Sequence, residues 1–288
     1  MSDRQDIMGC YFRSWRDIAT GDPDNKVSMR DLPAEVDIAF VFPDGNEPPR
    51  YWEALHSQII PALHARETKI VRTIAIDELI KPGASANDIF TRFFTSTPGL
   101  DGLDIDIEHT LNEAQRKQAE AVSRELRTLL GQERLFVFDT TENGDVALIR
   151  ALAPQLNYIL FQAYGQTPAR VQGHYDRMFK DFLPPSRFMV GFSFYEERGT
   201  RWGDVRDPLE SSTAHAYAAW TPTQGPKAGI FSYAVDRDGV KEGDDTLQPT
   251  NFAWTKHLKA AMAPRRRRAW QTVLRNWLAR VLRIAPSR

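Results

Sequence analysis

The sequence predicts an α/β fold, a (β/α)8 TIM barrel over residues 1–263 with an extra C-terminal amphipathic helix over 264–288. Three observations lead there. Eight short β-prone runs alternate with helical or loop stretches along the 288-residue chain. Most are near-continuous in apolar residues, as strands buried on both faces of a parallel sheet are. No G-x-G-x-x-G or G-x-x-x-x-G-K-[ST] follows any of them, which removes the usual reason to prefer an open doubly wound sheet.

The eight runs are residues 8–12, 36–42, 69–74, 102–107, 135–138, 158–163, 188–192 and 229–233. Gly21, Pro23 and Pro33 mark the stretch between the first two as loop rather than helix. Residues 51–65 and 251–262 read as helices. After the fourth run, Thr110 with Glu113 has the spacing of a capping box. Ala119, Val122, Leu126, Leu129 and Leu130 then form one apolar face, and Gly131 stands where a C-cap belongs.

Charge is unevenly distributed. The formal total is −1, but residues 264–288 hold eight arginines and no acidic residue. Taking those eight charges away leaves −9 on residues 1–263. An acidic body repels phosphate, so nucleic acid is not the partner expected of it. Cys10 is the only cysteine, which excludes an internal disulfide and reads as a small buried hydrophobe. The six histidines lack a ligand spacing such as H-x-x-x-H, and no metal or organic cofactor is implied.

The most informative segment is Asp101-Gly102-Leu103-Asp104-Ile105-Asp106-Ile107-Glu108. Side chains alternate across a strand, so Asp104, Asp106 and Glu108 share one face and Leu103, Ile105 and Ile107 the other. In a barrel the acidic face points inward at the C-terminal mouth, where such folds keep their chemistry. Like charges within about 4–6 Å raise at least one carboxyl pKa, as an acid catalyst near neutral pH requires. A metal site or a solvated acidic turn is the alternative, and a solvated turn does not explain the strict apolar alternation. Asp101, outside the alternation, reads as a turn residue. Gly191-Phe192-Ser193-Phe194-Tyr195 begins like a nucleophile elbow but lacks the closing glycine.

D-G-L-D-I-D-I-E fits the D-G-x-D-x-D-x-E signature of family 18 glycoside hydrolases. Further segments resemble the endo-β-N-acetylglucosaminidase branch, specifically the streptococcal endoglycosidase S group. They are Tyr11-Phe12-Arg13-Ser14-Trp15, Gln162-Ala163-Tyr164-Gly165, Gly191–Glu197 and the run from Gly229 to Val240. The resemblance spans roughly residues 8–260 and implies hydrolysis of the β-1,4 bond in the GlcNAc–GlcNAc core of N-glycans. It implies retention through an oxazolinium formed by the substrate's own acetamido group. Glu108 would then be acid and base, Asp106 would orient the acetamido N–H, and Asp104 would hold Asp106. Tyr164 would donate to the acetamido oxygen. Gln162, Tyr195, Glu196, Tyr233, Tyr11 and Arg13 would line the sugar subsites. Chitinases of this family place a tryptophan at the end of the eighth strand. Here that strand ends Ile230-Phe231-Ser232-Tyr233, which disfavours a chitinase-type hydrolase of GlcNAc oligosaccharides. A sugar-binding chitinase-like lectin, the other alternative, usually lacks the glutamate kept here as Glu108.

The tail carries its own pattern. Trp270, Val273, Leu274, Trp277, Leu278, Val281 and Leu282 form one helical stripe with arginines mostly beside it. A basic amphipathic helix with tryptophans on its apolar face suits an anionic membrane surface, and a helix docked on the barrel is the plainer expectation. The first residues, Met1-Ser2-Asp3-Arg4-Gln5-Asp6, lack the apolar stretch of a secretory signal. The corresponding expectation is a cytoplasmic protein, or one exported without a Sec signal, peripheral to a membrane if the tail binds one.

Overall fold

A computed structural model describes residues 6–262. The proposed tail helix lies outside the described residues. Eight parallel strands close into a barrel in sequence order: β1 (Ile7–Arg13), β2 (Ile38–Phe42), β3 (Lys69–Ala75), β4 (Gly102–Ile107), β5 (Leu135–Thr140), β6 (Tyr158–Gln162), β7 (Phe188–Ser193) and β8 (Gly229–Tyr233). β8 pairs with β1 through Ile7↔Gly229 to Cys10↔Ser232, which closes the ring.

Alternation along each strand sorts the core into two layers. Ile7, Tyr11, Ile38, Phe40, Val71, Leu135, Val137, Leu160, Met189 and Phe231 fill the barrel interior. Cys10, Leu103, Ile105, Ile107, Phe136 and Phe138 point outward and pack under the helices. The interior is tight enough to require glycine. A Cβ at Gly191 would stand 2.3 Å from the Phe231 ring, so β7 gives up a side chain to make room for an aromatic of β8. Each large apolar side chain buried this way is worth roughly 1.5–3 kcal/mol.

The expected strand limits shift at a few ends. β2 begins at Ile38 rather than 36, because Val36 N–H closes a turn on the Pro33 carbonyl. β5 runs to Thr140, two residues past the expected end, and β7 runs to Ser193.

The loop expected after β1 consists of three short 3-10 turns. The expected helix over 51–65 is α1 (Pro49–Ala54), a π-helical turn (Leu55–Ile59) and α2 (Ile60–His64). Pro61 explains the widened turn: it has no N–H to donate and its ring crowds the preceding carbonyls, so Ile60 N–H bonds back to Leu55 instead.

Two short helices, α3 (Asp77–Ile80) and α4 (Ala86–Phe90), precede β4. The capping box of α5 (Glu113–Leu130) is formed by Asn112 and Gln115, not Thr110 and Glu113. Asn112 Oδ1 accepts from Gln115 N at 2.9 Å, and Gln115 Oε1 accepts from Asn112 N at 3.0 Å. The buried stripe of α5 is Ala119, Val122, Leu126 and Leu130, while Leu129 falls off it and is 37% exposed. Gly131 ends the helix at φ 69°, as expected of a C-cap glycine. The remaining helices are α6 (Val146–Leu152), α7 (Pro168–Met178), α8 (Thr213–Ala219) and α9 (Ala253–Met262), the last matching the helix expected over 251–262. Among the described residues no helix is long and apolar enough to cross a membrane.

Candidate active site

The acidic face of β4 opens into a cleft of about 280 Å³ at the C-terminal ends of the strands. Tyr11, Asp106, Glu108, Gln162, Tyr164, Glu196 and Tyr233 line it, seven of the ten residues expected. Depth follows the pleat: Asp104 is fully buried, Asp106 half-buried, and Glu108 stands exposed at the mouth.

Asp104 is held from two strands. Tyr11 Oη donates to its Oδ2 at 2.8 Å and Thr73 Oγ1 at 2.9 Å. Burial raises the Asp104 carboxyl above its ordinary value although these donors pull it back. Asp106 is raised too, by burial first and then by the charges of Glu108 and Asp104. Gln162 ties the acidic wall together. Its Nε2 donates to Glu108 Oε1 at 2.8 Å and to Asp139 Oδ2 at 3.0 Å, and lies 3.5 Å from Asp106 Oδ1. Tyr164 has its pKa raised by burial and then by Asp139, so it stays a neutral hydrogen-bond donor facing the cleft. Its ring stands 6.3 Å from Tyr233 and 5.8 Å from Trp202.

Two expected subsite residues do not reach the cleft. Arg13, at the C-terminal end of β1 and level with Phe42, is fully buried beside it, bonded to Asp236 Oδ1 and Oδ2 at 3.1 and 2.6 Å and to Glu197 Oε2 at 2.9 Å. Its Nη1 also stands 3.3 Å from Glu196 Oε1, an ion-pair distance without hydrogen-bond alignment. Arg13 thus stands against Glu196, which lines the cleft, without lining it itself. Tyr195 is buried and turned away. Its hydroxyl donates to Asp245 at 3.1 Å and its carbonyl accepts from Arg237 Nε. The chain leaves the strand after Ser193, so alternation no longer says which way residue 195 points.

Asp101 lies at the opposite end of β4, accepting from Lys69 Nζ, Ile70 N and His64 Nε2.

The cleft also holds Phe42, Asp139, Ser193, Thr200 and Trp202, none of them expected. Phe42 and Asp139 were legible in principle. They continue the inward alternations 38, 40, 42 on β2 and 135, 137, 139 on β5. Thr200 and Trp202 sit on an irregular stretch with no period to read. Asp204 holds that stretch down, accepting from Gly165 N and Ser193 N at 3.0 Å each. Burial pushes the Asp204 carboxyl up to about 7 against the pull of those two bonds.

An eight-stranded barrel with carboxylates, an amide and tyrosines converging at its C-terminal mouth has the architecture and the groups that glycoside hydrolysis uses. The sequence profile of the endo-beta-N-acetylglucosaminidase EndoS TIM-barrel domain matches residues 10–232, and the chain belongs to that family. Endo-beta-N-acetylglucosaminidase F2 of Elizabethkingia meningoseptica is 35% identical over 91% of this chain and 83% of its own length. EndoS of Streptococcus pyogenes is 32% identical over 88% of this chain, which spans only 32% of that larger protein. The crystal structure of a Cordyceps militaris endo-beta-N-acetylglucosaminidase superposes with a TM-score of 0.85 at 44% identity, covering 90% of this chain and 92% of that one. It is an Asp-to-Asn, Glu-to-Gln double mutant in complex with fucosyl-N-acetylglucosamine-Asn. Its two substitutions are two residues apart, the spacing of Asp106 and Glu108 here.

Proposed function

We propose that this chain hydrolyses the β-1,4 bond between the two core N-acetylglucosamines of N-glycans, with retention and with the substrate's acetamido group as nucleophile. The observation that carries the reading is a single wall on which Glu108, Asp106 and Tyr164 are gathered around Gln162. Glu108, exposed at the mouth, gives its proton to the leaving glycosidic oxygen. The acetamido carbonyl attacks the anomeric carbon as that bond breaks. Asp106 accepts from the acetamido N–H and offsets the positive charge of the oxazolinium, while Tyr164 donates to the attacking oxygen and aligns it. Glu108, now a carboxylate, takes a proton from water, which attacks the same carbon and reopens the ring. Glycan substrates of the relatives, and the fucosylated GlcNAc-Asn complex of the Cordyceps enzyme, support the substrate class.

The test is incubation with glycoproteins and glycopeptides bearing high-mannose, hybrid and complex glycans, read by mass spectrometry. A released glycan with one GlcNAc left on the protein is expected, with Glu108→Gln losing at least about 10³-fold in rate while still binding. Binding without release from any substrate would make the chain a sugar-binding protein instead. For residues 264–288 we keep the membrane-surface reading, supported by their sequence pattern. Flotation with anionic liposomes, lost at high salt and on deleting 264–288, supports it, and equal flotation without them overturns it.

A further inference from the structure

Asp139 has no role in the scheme above, yet it is a buried carboxyl in the middle of the reacting wall. Its place is set by the barrel. In the β4–β5 ladder Asp106 and Asp139 are register partners, side by side on the inner face. Asp139 is 2% exposed. One of its oxygens accepts from Gln162, while its Oδ1 is buried without a hydrogen-bond partner. The Oδ1 of Asp104 is orphaned in the same way. Around this carboxyl and its neighbours Asp104 and Asp106 stand Tyr11 of β1, Thr73 of β3, which bonds Asp104, Glu108 at the end of β4, and Gln162 and Tyr164 of β6 and its end, with Tyr233 of β8 in the same cleft. None is a cation, and among the described residues no basic side chain pairs with Asp104, Asp106 or Asp139.

Three adjacent carboxylates cannot all stay ionised in such a place, because desolvation and mutual repulsion both act against charge. A proton on one of them relieves the repulsion and supplies the donor that an orphaned buried oxygen lacks.

We propose that Asp139 is a positioning residue that keeps a proton beside Asp106, so that the pair carries one negative charge and that charge resides on Asp106, the carboxylate that receives the acetamido N–H. The proton stays on Asp139 through the reaction and Glu108 supplies the one that is transferred. Burial, and then the charges of Asp106, Asp104 and Glu108, push the Asp139 carboxyl well above the ordinary range, in the direction this requires. The inference rests on the proposed hydrolysis for its kinetic readout, but not for its spectroscopic one.

Asparagine reproduces a protonated aspartate in shape, with an acceptor for Gln162 and a donor for its neighbour. Asp139→Asn is therefore expected to keep kcat within about threefold of the parent on a glycopeptide near neutral pH. Asp139→Leu removes donor and acceptor and is expected to lower kcat about 10²-fold with KM little changed. Difference infrared spectra of the parent at neutral pH should contain the carbonyl band of a buried protonated carboxyl, and Asp139→Asn should lose it. The proposal is overturned if Asn is as damaging as Leu, if Leu is harmless, if the parent lacks that band, or if Asp139→Asn keeps it. The infrared arm needs no substrate and no stable Leu variant. It decides the proposal even if the parent cleaves no glycan, an outcome that would overturn the functional reading separately.

Discussion

Replacing Arg13 by methionine tests whether the cleft is organised by the buried ion cluster beside it. Methionine matches the length of the arginine stem and fills the space without charge. What it removes is the ion-pair partner of Asp236, whose side chain is 3% exposed, and one of the partners of Glu197, at 12%, which keeps Arg16 and lies 3.7 Å from Arg237. Asp236 receives two bonds from the guanidinium and Glu197 one. Stripping one partner from a buried ion pair costs about 3–5 kcal/mol, since the remaining charge is buried without compensation. For a domain of this size that lowers Tm by roughly 6–20 °C. The loss should depend on pH. Burial alone would raise the Glu197 carboxyl, but Arg13 and Arg16 outweigh it and hold it below its ordinary value. A carboxyl lowered on folding stabilises above its unfolded pKa and loses that contribution as pH falls through the folded one. The gap in Tm between parent and Arg13→Met is therefore wide at pH 7 and narrows below about pH 4. Calorimetry over that range measures it. KM should rise as well, because Glu196 loses the guanidinium 3.3 Å away. Adding Asp236→Asn to Arg13→Met should recover part of the Tm, because the uncompensated charge goes with it. A change of 1–2 °C at pH 7, or a double variant no better than the single, would refute the clamp.

Two further substitutions probe the scaffold of the site. Asp204→Asn sets an amide donor against one of the two N–H groups that the carboxylate now receives from Gly165 and Ser193. It should cost about 1–3 kcal/mol by chemical denaturation and raise KM as the stretch bearing Trp202 loosens, with kcat less affected. Gly191→Ala places a methyl where the Phe231 ring lies, a Cβ 2.3 Å from its nearest atom. Overpacking of about 1–3 kcal/mol is expected, and an unchanged denaturation midpoint would show that the interior can give way.

Local periodicity determined a good deal of this protein by itself. All eight strands stand in the order read from their apolar runs, because a strand buried on both faces cannot hide its composition. The acidic face of β4 was legible because Asp104, Asp106 and Glu108 keep strict alternation with Leu103, Ile105 and Ile107. The same rule extended to β5 reaches Asp139, which the expectation of a strand ending at 138 cut off. Capping was legible only as a pattern, since two acceptor-rich residues two positions apart compete for one helix start and only the backbone bonds choose Asn112.

Tertiary structure decided what lies beyond the strand ends. Tyr195 and Glu196 are adjacent in sequence, yet one is buried on Asp245 and the other lines the cleft. Once the pleat ends, the direction of a side chain is set by what the loop packs against. Arg13 is the sharpest case. Its position at the end of β1 is a matter of sequence, but its three carboxylate neighbours arrive from residues 196, 197 and 236, and closure of the barrel is what makes them neighbours. Trp202 is likewise placed by Asp204 through bonds to the ends of β6 and β7. Sequence carries the period of each element. Contacts between residues far apart in the chain depend on the closed ring, and those contacts decide which side chains meet a ligand.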